Sequence, residues 1–223
     1  MIIRLLDLML SLIALVLLSP IFAVVILMLR LTGEREVFFV QDRVGKNGRN
    51  FGLIKFATMM RDSPNMKSGT VTLKDDPRVL PLGKILRKTK INELPQLINV
   101  MAGNMSLVGP RPQTDRCFHA FLPEHRNELI KVKPGVSGVG SIVFRNEEKL
   151  LDKDSEQAQK IYDTVIMPYK GEIEVWYANN ISVANYIKCL LVTIVVLLFP
   201  NSNVVWTAFP NCPSPPSRLQ GKL

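Results

Sequence analysis

The sequence predicts an α/β protein, mostly helical with a small β-hairpin, in which an N-terminal membrane segment leads into one compact domain. Three observations carry that prediction. No charged residue occurs from Leu8 to Leu29. Between Val37 and Met59, two short apolar runs flank a glycine-bearing turn, the pattern of a hairpin. From Ile91 to Met101, apolar residues return at three- and four-residue steps, the period of a helix face. At 223 residues the chain can close one substantial core and need not be divided further.

The apolar run is too long for a secretory signal, and Arg30-Leu-Thr-Gly-Glu-Arg35 after it offers no small-residue cleavage site. A single transmembrane helix fits the length, since about 20 apolar residues span the hydrocarbon core. Ser19-Pro20 stands against it. Proline has no amide hydrogen and its ring crowds the Val16 carbonyl, so a kink is expected, with Ser19 satisfying part of the freed backbone. Arg4 precedes the run while Arg30 and Arg35 follow it, and basic flanks favour the cytoplasmic side. Kink and flanks together favour a re-entrant hairpin over residues 1–31, broken at Ser19-Pro20.

Downstream, Val37–Val40 reads as a strand, Val44–Gly48 as a turn and Phe51–Met59 as a second strand, before a polar loop from Ser63 to Asp76. Arg78–Lys88 reads as a helix with Val79, Leu82, Ile85 and Leu86 on one face. Asn92–Met101 reads as a helix capped by Asn92, with Glu93 and Pro95 in a first turn that suits both. Thr114–Ile130 reads as one helix or a pair, interrupted at Pro123, and residues 147–168 as a charged, Gln-rich helix. Ile187–Phe199 is apolar apart from Lys188 and too short to span a bilayer. It lies in the membrane interface, packs on the N-terminal hairpin, or forms a buried core element. Five prolines in the seventeen residues after Phe199 predict a poorly ordered tail over residues 200–223, leaving residues 32–199 as the domain.

The net charge of +9 is unevenly placed, with fourteen Lys or Arg against six Asp or Glu between Arg30 and Lys90. Such a balance calls for anionic partners: phospholipid headgroups, phosphorylated substrates or nucleic acid. A nucleic-acid module would explain only the charge. No recognition-helix motif or basic sheet with interleaved aromatics accompanies it, so nucleic acid is not expected as a partner. Cys117, Cys189 and Cys212 are scattered, and with His119 and His125 they make no zinc pattern; they read as isolated reduced thiols.

The stretch Leu86-Arg-Lys-Thr-Lys-Ile-Asn-Glu-Leu-Pro-Gln-Leu-Ile-Asn-Val100, continuing to Gly109-Pro-Arg-Pro112, closely resembles the small bacterial sugar transferases, the monotopic phosphoglycosyl transferases. Gln41-Asp-Arg-Val-Gly45, Lys55-Phe56 with Thr58-Met59, Asp75-Asp-Pro-Arg78, Pro134-Gly-Val-Ser-Gly138 and Arg145-Asn146 follow the expected order. The resemblance spans about residues 1–198. It implies a re-entrant helix broken at Ser19 and Pro20, and a catalytic domain on the cytoplasmic face of the bacterial inner membrane. The implied reaction moves a sugar 1-phosphate from a UDP-sugar to polyprenyl (undecaprenyl) phosphate with Mg2+, releasing UMP and initiating O-antigen, capsule or exopolysaccharide synthesis. Implied partners are those two substrates, the phospholipid bilayer, and a second copy of the chain or downstream glycosyltransferases. In that family an Asp-Glu pair is central: the Asp attacks the β-phosphate and the Glu helps to hold the metal. Two phosphorylated substrates also need cationic clamps, for which Lys55, Arg78, Arg87, Lys88, Arg111 and Arg145 are the candidates. Arg111, between two prolines, sits on a stiff backbone.

One departure bears on the chemistry. Asn92 occupies the position of the family's nucleophilic Asp, and a carboxamide is a very poor nucleophile. Three explanations are open. In a rearranged mechanism, Glu93 attacks with Asp75 or Asp76 helping to bind the metal, or the lipid phosphate attacks directly. Alternatively, catalysis is silenced, leaving a membrane protein that binds nucleotide sugar or scaffolds a glycan-assembly complex. Asn92 can also serve mainly as a helix cap, compatibly with either. Ala57 stands where the family often has Arg, and Val139-Gly-Ser141 where Trp-Ala-Gln is common. Several changes around one site, with Gly109-Pro-Arg-Pro112 intact, favour an active enzyme in which Glu93 is the catalytic and metal-binding acid.

Overall fold

A 30-residue helix, α1 (Ile2–Leu31), opens the chain. The computed structural model describes residues 1–63, 66, 76–145, 147–150, 159–200 and 202–220. Helical structure runs without interruption through Ser19 and Pro20. Proline leaves the Val16 carbonyl without its usual amide donor, and the Ser19 hydroxyl donates to that carbonyl at 2.8 Å. The break expected at Ser19-Pro20 is thus a lost amide hydrogen bond made good by a hydroxyl, within a helix that continues.

Both ends of α1 dock on the rest of the chain. Arg4 donates to the carbonyls of Val100 (2.6 Å) and Met101 (3.0 Å). Asp7 is buried and accepts from the Ser106 hydroxyl (2.9 Å), the Leu107 amide (2.8 Å) and the Tyr186 hydroxyl (2.9 Å). At the other end, Val25 and Leu29 share a small core with Val37, Phe56 and Leu86. Phe22 adds a tilted ring contact to Phe56, with centroids 5.3 Å apart. Between these ends, Leu12, Ile13, Val16, Leu17 and Ile21 are exposed.

β1 (Phe38–Val44) and β2 (Asn50–Phe56) form the expected antiparallel hairpin, with Gln41 opposite Leu53 and Arg43 opposite Phe51. Strand alternation puts Gln41, Arg43, Leu53 and Lys55 on one face and Phe56, against α1, on the other. α2 (Pro81–Lys88) begins at Pro81 rather than Arg78, with proline at its first helical position. Its inward residues are Gly83 and Leu86, while Ile85 is exposed. Gly83 is there because a Cβ would collide with the Thr58 backbone.

Ile91–Glu93 is a 3-10 turn, and α3 (Gln96–Ala102) starts only after Pro95. Asn92 therefore makes no cap, and the inward face of α3 is Gln96, Leu97, Asn99 and Val100, with Ile98 exposed. Asn99 is buried although polar because it bridges β2: its amide donates to the Gly52 carbonyl at 2.7 Å and its oxygen accepts from the Ile54 amide at 3.0 Å.

A second pair, β3 (Ser106–Val108) parallel to β4 (Gly135–Ser137), is too short to show alternation in sequence. It explains two motifs at once. A Cβ on Gly135 or Gly138 would strike the Gly109 backbone, so Gly109-Pro-Arg-Pro112 and Pro134-Gly-Val-Ser-Gly138 pack main chain to main chain. Thr114–Ile130, read as one helix or a pair, is a pair: α4 (Asp115–His119), capped by Thr114, and α5 (Pro123–Leu129), which Pro123 opens.

α6 (Val139–Val143) leads towards residues 151–158, part of the expected Gln-rich helix, which lie outside the described residues. A π-helical turn, Tyr162–Ile166, then enters α7 (Met167–Asn179). α8 (Val183–Leu198), capped by Ser182, buries Tyr186, Cys189, Val192 and Val196 in the main core, and exposes Val183, Ile187, Leu191, Ile194 and Leu198 along another side. Residues 202–220, within the Pro-rich segment, pack on the domain. α9 (Val204–Ala208) forms, Val205, Phe209, Cys212 and Leu219 enter the core, and the Tyr169 hydroxyl donates to the Pro213 carbonyl at 2.9 Å. Apolar residues spaced among the prolines give this segment enough area to bury.

Asp7→Ala leaves three donors without their acceptor and is expected to lower the unfolding free energy by about 2–4 kcal/mol. Asp7→Asn, which keeps one acceptor oxygen, should lose less. Denaturant titration of the micelle-embedded protein, followed by tryptophan fluorescence, reads both.

Candidate active site

Arg111 stands at the junction of the two motifs. Its backbone N–H donates to Glu174 Oε1 at 3.0 Å, and its Nη2 donates to Glu93 Oε1 at 3.2 Å. The Arg111 and Glu93 side chains keep 34% and 15% of their surface open, so a ligand can reach the pair. Burial by itself would raise the Glu93 carboxyl, but Arg111, Lys55 and Lys90 outweigh it and hold it at about 2. Arg111 is raised in turn, chiefly by Glu93. Glu93 is therefore ionised at any working pH.

The inner face of the hairpin brings Arg43 and Lys55 to the same place. Arg43 Nη1 donates to the Pro112 carbonyl at 3.1 Å and Nη2 to Gln41 Oε1 at 2.5 Å, while its buried Nε has no partner among the described residues. Burial, with Arg111 adding to it, lowers Arg43 to about 10. Burial also lowers the Lys55 ammonium, helped by Arg43, Arg111 and Arg87 and opposed by Glu93, to about 7. Glu93 meets the side chains of three cations, with Arg87 and Lys90 within electrostatic reach, and the cluster around it is rich in positive groups. Phosphate oxygens are the anions that such a cluster suits, through charge-assisted hydrogen bonds.

Behind Arg111, Glu174 is buried in α7, and burial lifts its carboxyl to about 7. A Cβ on Gly140 would collide with that carboxylate, which gives a physical reason for glycine in Val139-Gly-Ser141. Buried Lys170 pairs with both oxygens of Glu147 at 2.9 Å and lies over the Phe144 ring.

Of the residues singled out in the sequence, Glu93, Lys55 and Arg111 converge, with Arg87 near Lys55. Asn92 is buried beside Glu93, and its Oδ1 has no hydrogen-bond partner among the described residues. Lys88 is exposed at the end of α2. Arg78 is buried on Asp76, with Nε–Oδ1 at 2.9 Å and Nη2–Oδ2 at 2.6 Å, and also donates to the Ser63 carbonyl. That bidentate pair engages the carboxylate suggested as a metal ligand. Arg145 donates to the carbonyls of Val196 (2.7 Å) and Pro200 (3.0 Å), closing the end of α8. Asp75 and Asn146 lie outside the described residues. Among the described residues, no three of His, Cys, Asp and Glu stand together as a metal-holding group.

Sequence reasoning missed Arg43 and Glu174. Arg43 had a signal, since strand alternation puts it on the face of Lys55. Glu174 had none, because its role depends on α7 meeting Arg111 from 63 residues away.

A family model described as bacterial sugar transferase matches residues 1–200. The chain belongs to that family. This sugar transferase is similar to the exopolysaccharide production protein PSS of Rhizobium leguminosarum bv. phaseoli, 30% identical over 198 residues that cover 86% of the chain and 92% of PSS. It is also similar to the uncharacterized sugar transferase EpsL of Bacillus subtilis (strain 168), 35% identical over 194 residues, 86% of the chain and 84% of EpsL. The UDP-glucose:undecaprenyl-phosphate glucose-1-phosphate transferase of Escherichia coli (strain K12) is 34% identical over 179 residues, 77% of the chain and 36% of that enzyme. The chain thus spans about a third of the length of some relatives, among them that enzyme (36%) and the galactosyl transferase CpsE of Streptococcus agalactiae (34%).

The Lys55 ammonium loses its proton as pH rises through about 7, whereas an Arg there stays charged. Pyrophosphate affinity of the wild-type sugar transferase, relative to Lys55→Arg at each pH, is expected to fall about tenfold between pH 6 and pH 8. Isothermal titration calorimetry measures the ratio.

Proposed function

We propose that this sugar transferase moves a sugar 1-phosphate from a UDP-sugar to polyprenyl phosphate, releasing UMP and starting a bacterial polysaccharide at the cytoplasmic face of the inner membrane. The observation that carries this reading is the convergence of Arg43, Lys55 and Arg111 on Glu93, in a chain that begins with an exposed apolar helix. The relatives' names agree with it. One in E. coli is named for UDP-glucose and undecaprenyl phosphate, and one in Aeromonas hydrophila for UDP-N-acetylgalactosamine and the same lipid phosphate.

A re-entrant course for α1 is supported by its docking. Asp7 and Leu29 are about 33 Å apart along a straight helix axis, yet both pack on the same domain. A helix crossing the bilayer would carry one of these ends to the opposite face. The exposed apolar stripe of α8 offers a second surface for the same leaflet.

In the reaction, the diphosphate of the UDP-sugar lies against Arg111, Arg43 and Lys55. Asn92 cannot attack phosphorus, and Glu93, ionised and tied to Arg111, is a weak nucleophile. Direct displacement is the route this arrangement favours. An oxygen of the lipid phosphate attacks the β-phosphorus, the bond from that phosphorus to the bridging oxygen breaks, and UMP leaves with the electron pair. The cations offset the repulsion between two anions as they meet. Residues suited to magnesium are the Glu93 carboxylate and the Asn92 Oδ1, which has no hydrogen-bond partner among the described residues, since that ion takes few protein ligands beside phosphate and water. When bound, it would add positive charge against the diphosphate.

UMP release by nanodisc-embedded protein with magnesium is expected to need both polyprenyl phosphate and one UDP-sugar from a panel. Kinetics should be sequential, and Glu93→Gln should lower kcat/KM by roughly a hundredfold or more. A ping-pong pattern would restore a covalent intermediate. Silence across the panel with UDP-sugar binding retained would make this a non-catalytic nucleotide-sugar binder.

A further inference from the structure

We propose that the apolar cavity between the end of α1 and the start of α2 receives the first isoprenoid units of the lipid acceptor, a slot distinct from the phosphate-binding hollow. The inference rests on the polyprenyl-phosphate reading above and adds where the chain, as opposed to its phosphate, is held.

The cavity measures about 380 Å³, within the range of small-molecule sites. Leu29, Ala57, Met59, Leu80, Leu82 and Ile85 make its walls apolar. Polar groups lie at Thr32, Glu34 and Glu36, and Arg61 engages both acids, Glu34 through its backbone amide and Glu36 through its guanidinium at 2.7 Å. Among the described residues no cationic side chain lines this cavity, and its walls suit a hydrocarbon.

Two continuities select the occupant. On the outer side, Leu27, Met28 and Leu31 of α1 and Ile85 of α2 are exposed beside the cavity. A chain dissolved in the bilayer can therefore enter without crossing water. On the inner side, Ala57 follows Lys55 by two residues, about 7 Å of extended chain. Leu82 precedes Arg87 by about 8 Å along α2. A prenyl chain in the slot thus presents its phosphate to the cationic hollow. Gly83, pressed on the Thr58 backbone, holds these two walls together.

Ala57 gives the slot its particular character. It is buried, it lines the cavity, and it stands where the resembling family often carries Arg. A methyl group there leaves the inner wall uncharged and short.

Ile85 is 60% exposed at the mouth, so Ile85→Glu leaves the fold intact while placing charge where the chain enters. Its KM for undecaprenyl phosphate is expected to rise at least about tenfold, with KM for the UDP-sugar unchanged. Its preference for that lipid over short citronellyl phosphate should shrink in parallel. A benzophenone-bearing farnesyl phosphate should label the segment 80–85 in wild type, and excess phosphatidylglycerol should not displace it. Labelling needs no turnover, so failure of the transferase reading and failure of the slot are read separately. Unaltered lipid KM in Ile85→Glu, labelling confined to other segments, or equal displacement by phosphatidylglycerol would each overturn the assignment, the last by making the cavity a general acyl-chain site.

Discussion

Arg111 is held from two sides by carboxylates, and the site depends on that arrangement. Glu174 takes its backbone amide and Glu93 its guanidinium, so main chain and side chain are fixed by different elements. The flanking prolines remove backbone freedom, while Gly109 allows the β4 strand to approach without a side chain between. Gly140 leaves the space that the Glu174 carboxylate occupies. Four glycines and two prolines, spread over three motifs, thus serve one geometric requirement: placing a guanidinium rigidly beside a carboxylate.

That rigidity has an electrostatic consequence. The side chains of Arg43, Lys55 and Arg111 are gathered around Glu93, and burial opposes the charge on both Arg43 and Lys55. The protein tolerates this because Glu93 remains ionised and the outer edges of the pair stay in contact with solvent. Charges fixed in this way stabilise an incoming anion without rearranging, which is the advantage of fixed dipoles and charges over water. Asn92 is the exception in this setting, a buried carboxamide oxygen with no hydrogen-bond partner among the described residues.

The membrane-facing part of the molecule is tied to the same framework. Arg4 satisfies carbonyls at the end of α3, the helix whose Asn99 secures β2 and hence Lys55. Asp7 joins α1 to β3 and α8 through three hydrogen bonds, and Leu29 joins it to β2 and α2. The apolar helix is therefore a structural member of the domain, and the middle of α1 and the stripe of α8 are its exposed apolar surfaces.

The length of the uncharged run made α1 legible in the sequence, apolar runs on either side of a glycine-bearing turn did so for the hairpin, and Pro123 marked the division within Thr114–Ile130. Charge placement located the cationic region, whereas Arg43 joined it only once the observed register of the hairpin put it on the face of Lys55. Other assignments were decided only by tertiary contact. Pro95 delays α3, so Asn92 turns inward instead of capping a helix. Asp76 engages Arg78, and the end of α8 engages Arg145, because buried guanidinium groups and free helix-terminal carbonyls both need partners that local spacing does not name. The segment 202–220 packs for a similar reason, since its apolar residues meet a surface on α7 and α8 that composition does not name. The sequence by itself determined which residues are charged, apolar or conformationally stiff; tertiary structure decided which carboxylate each cation meets, because such pairing is set by distances between segments far apart in the chain.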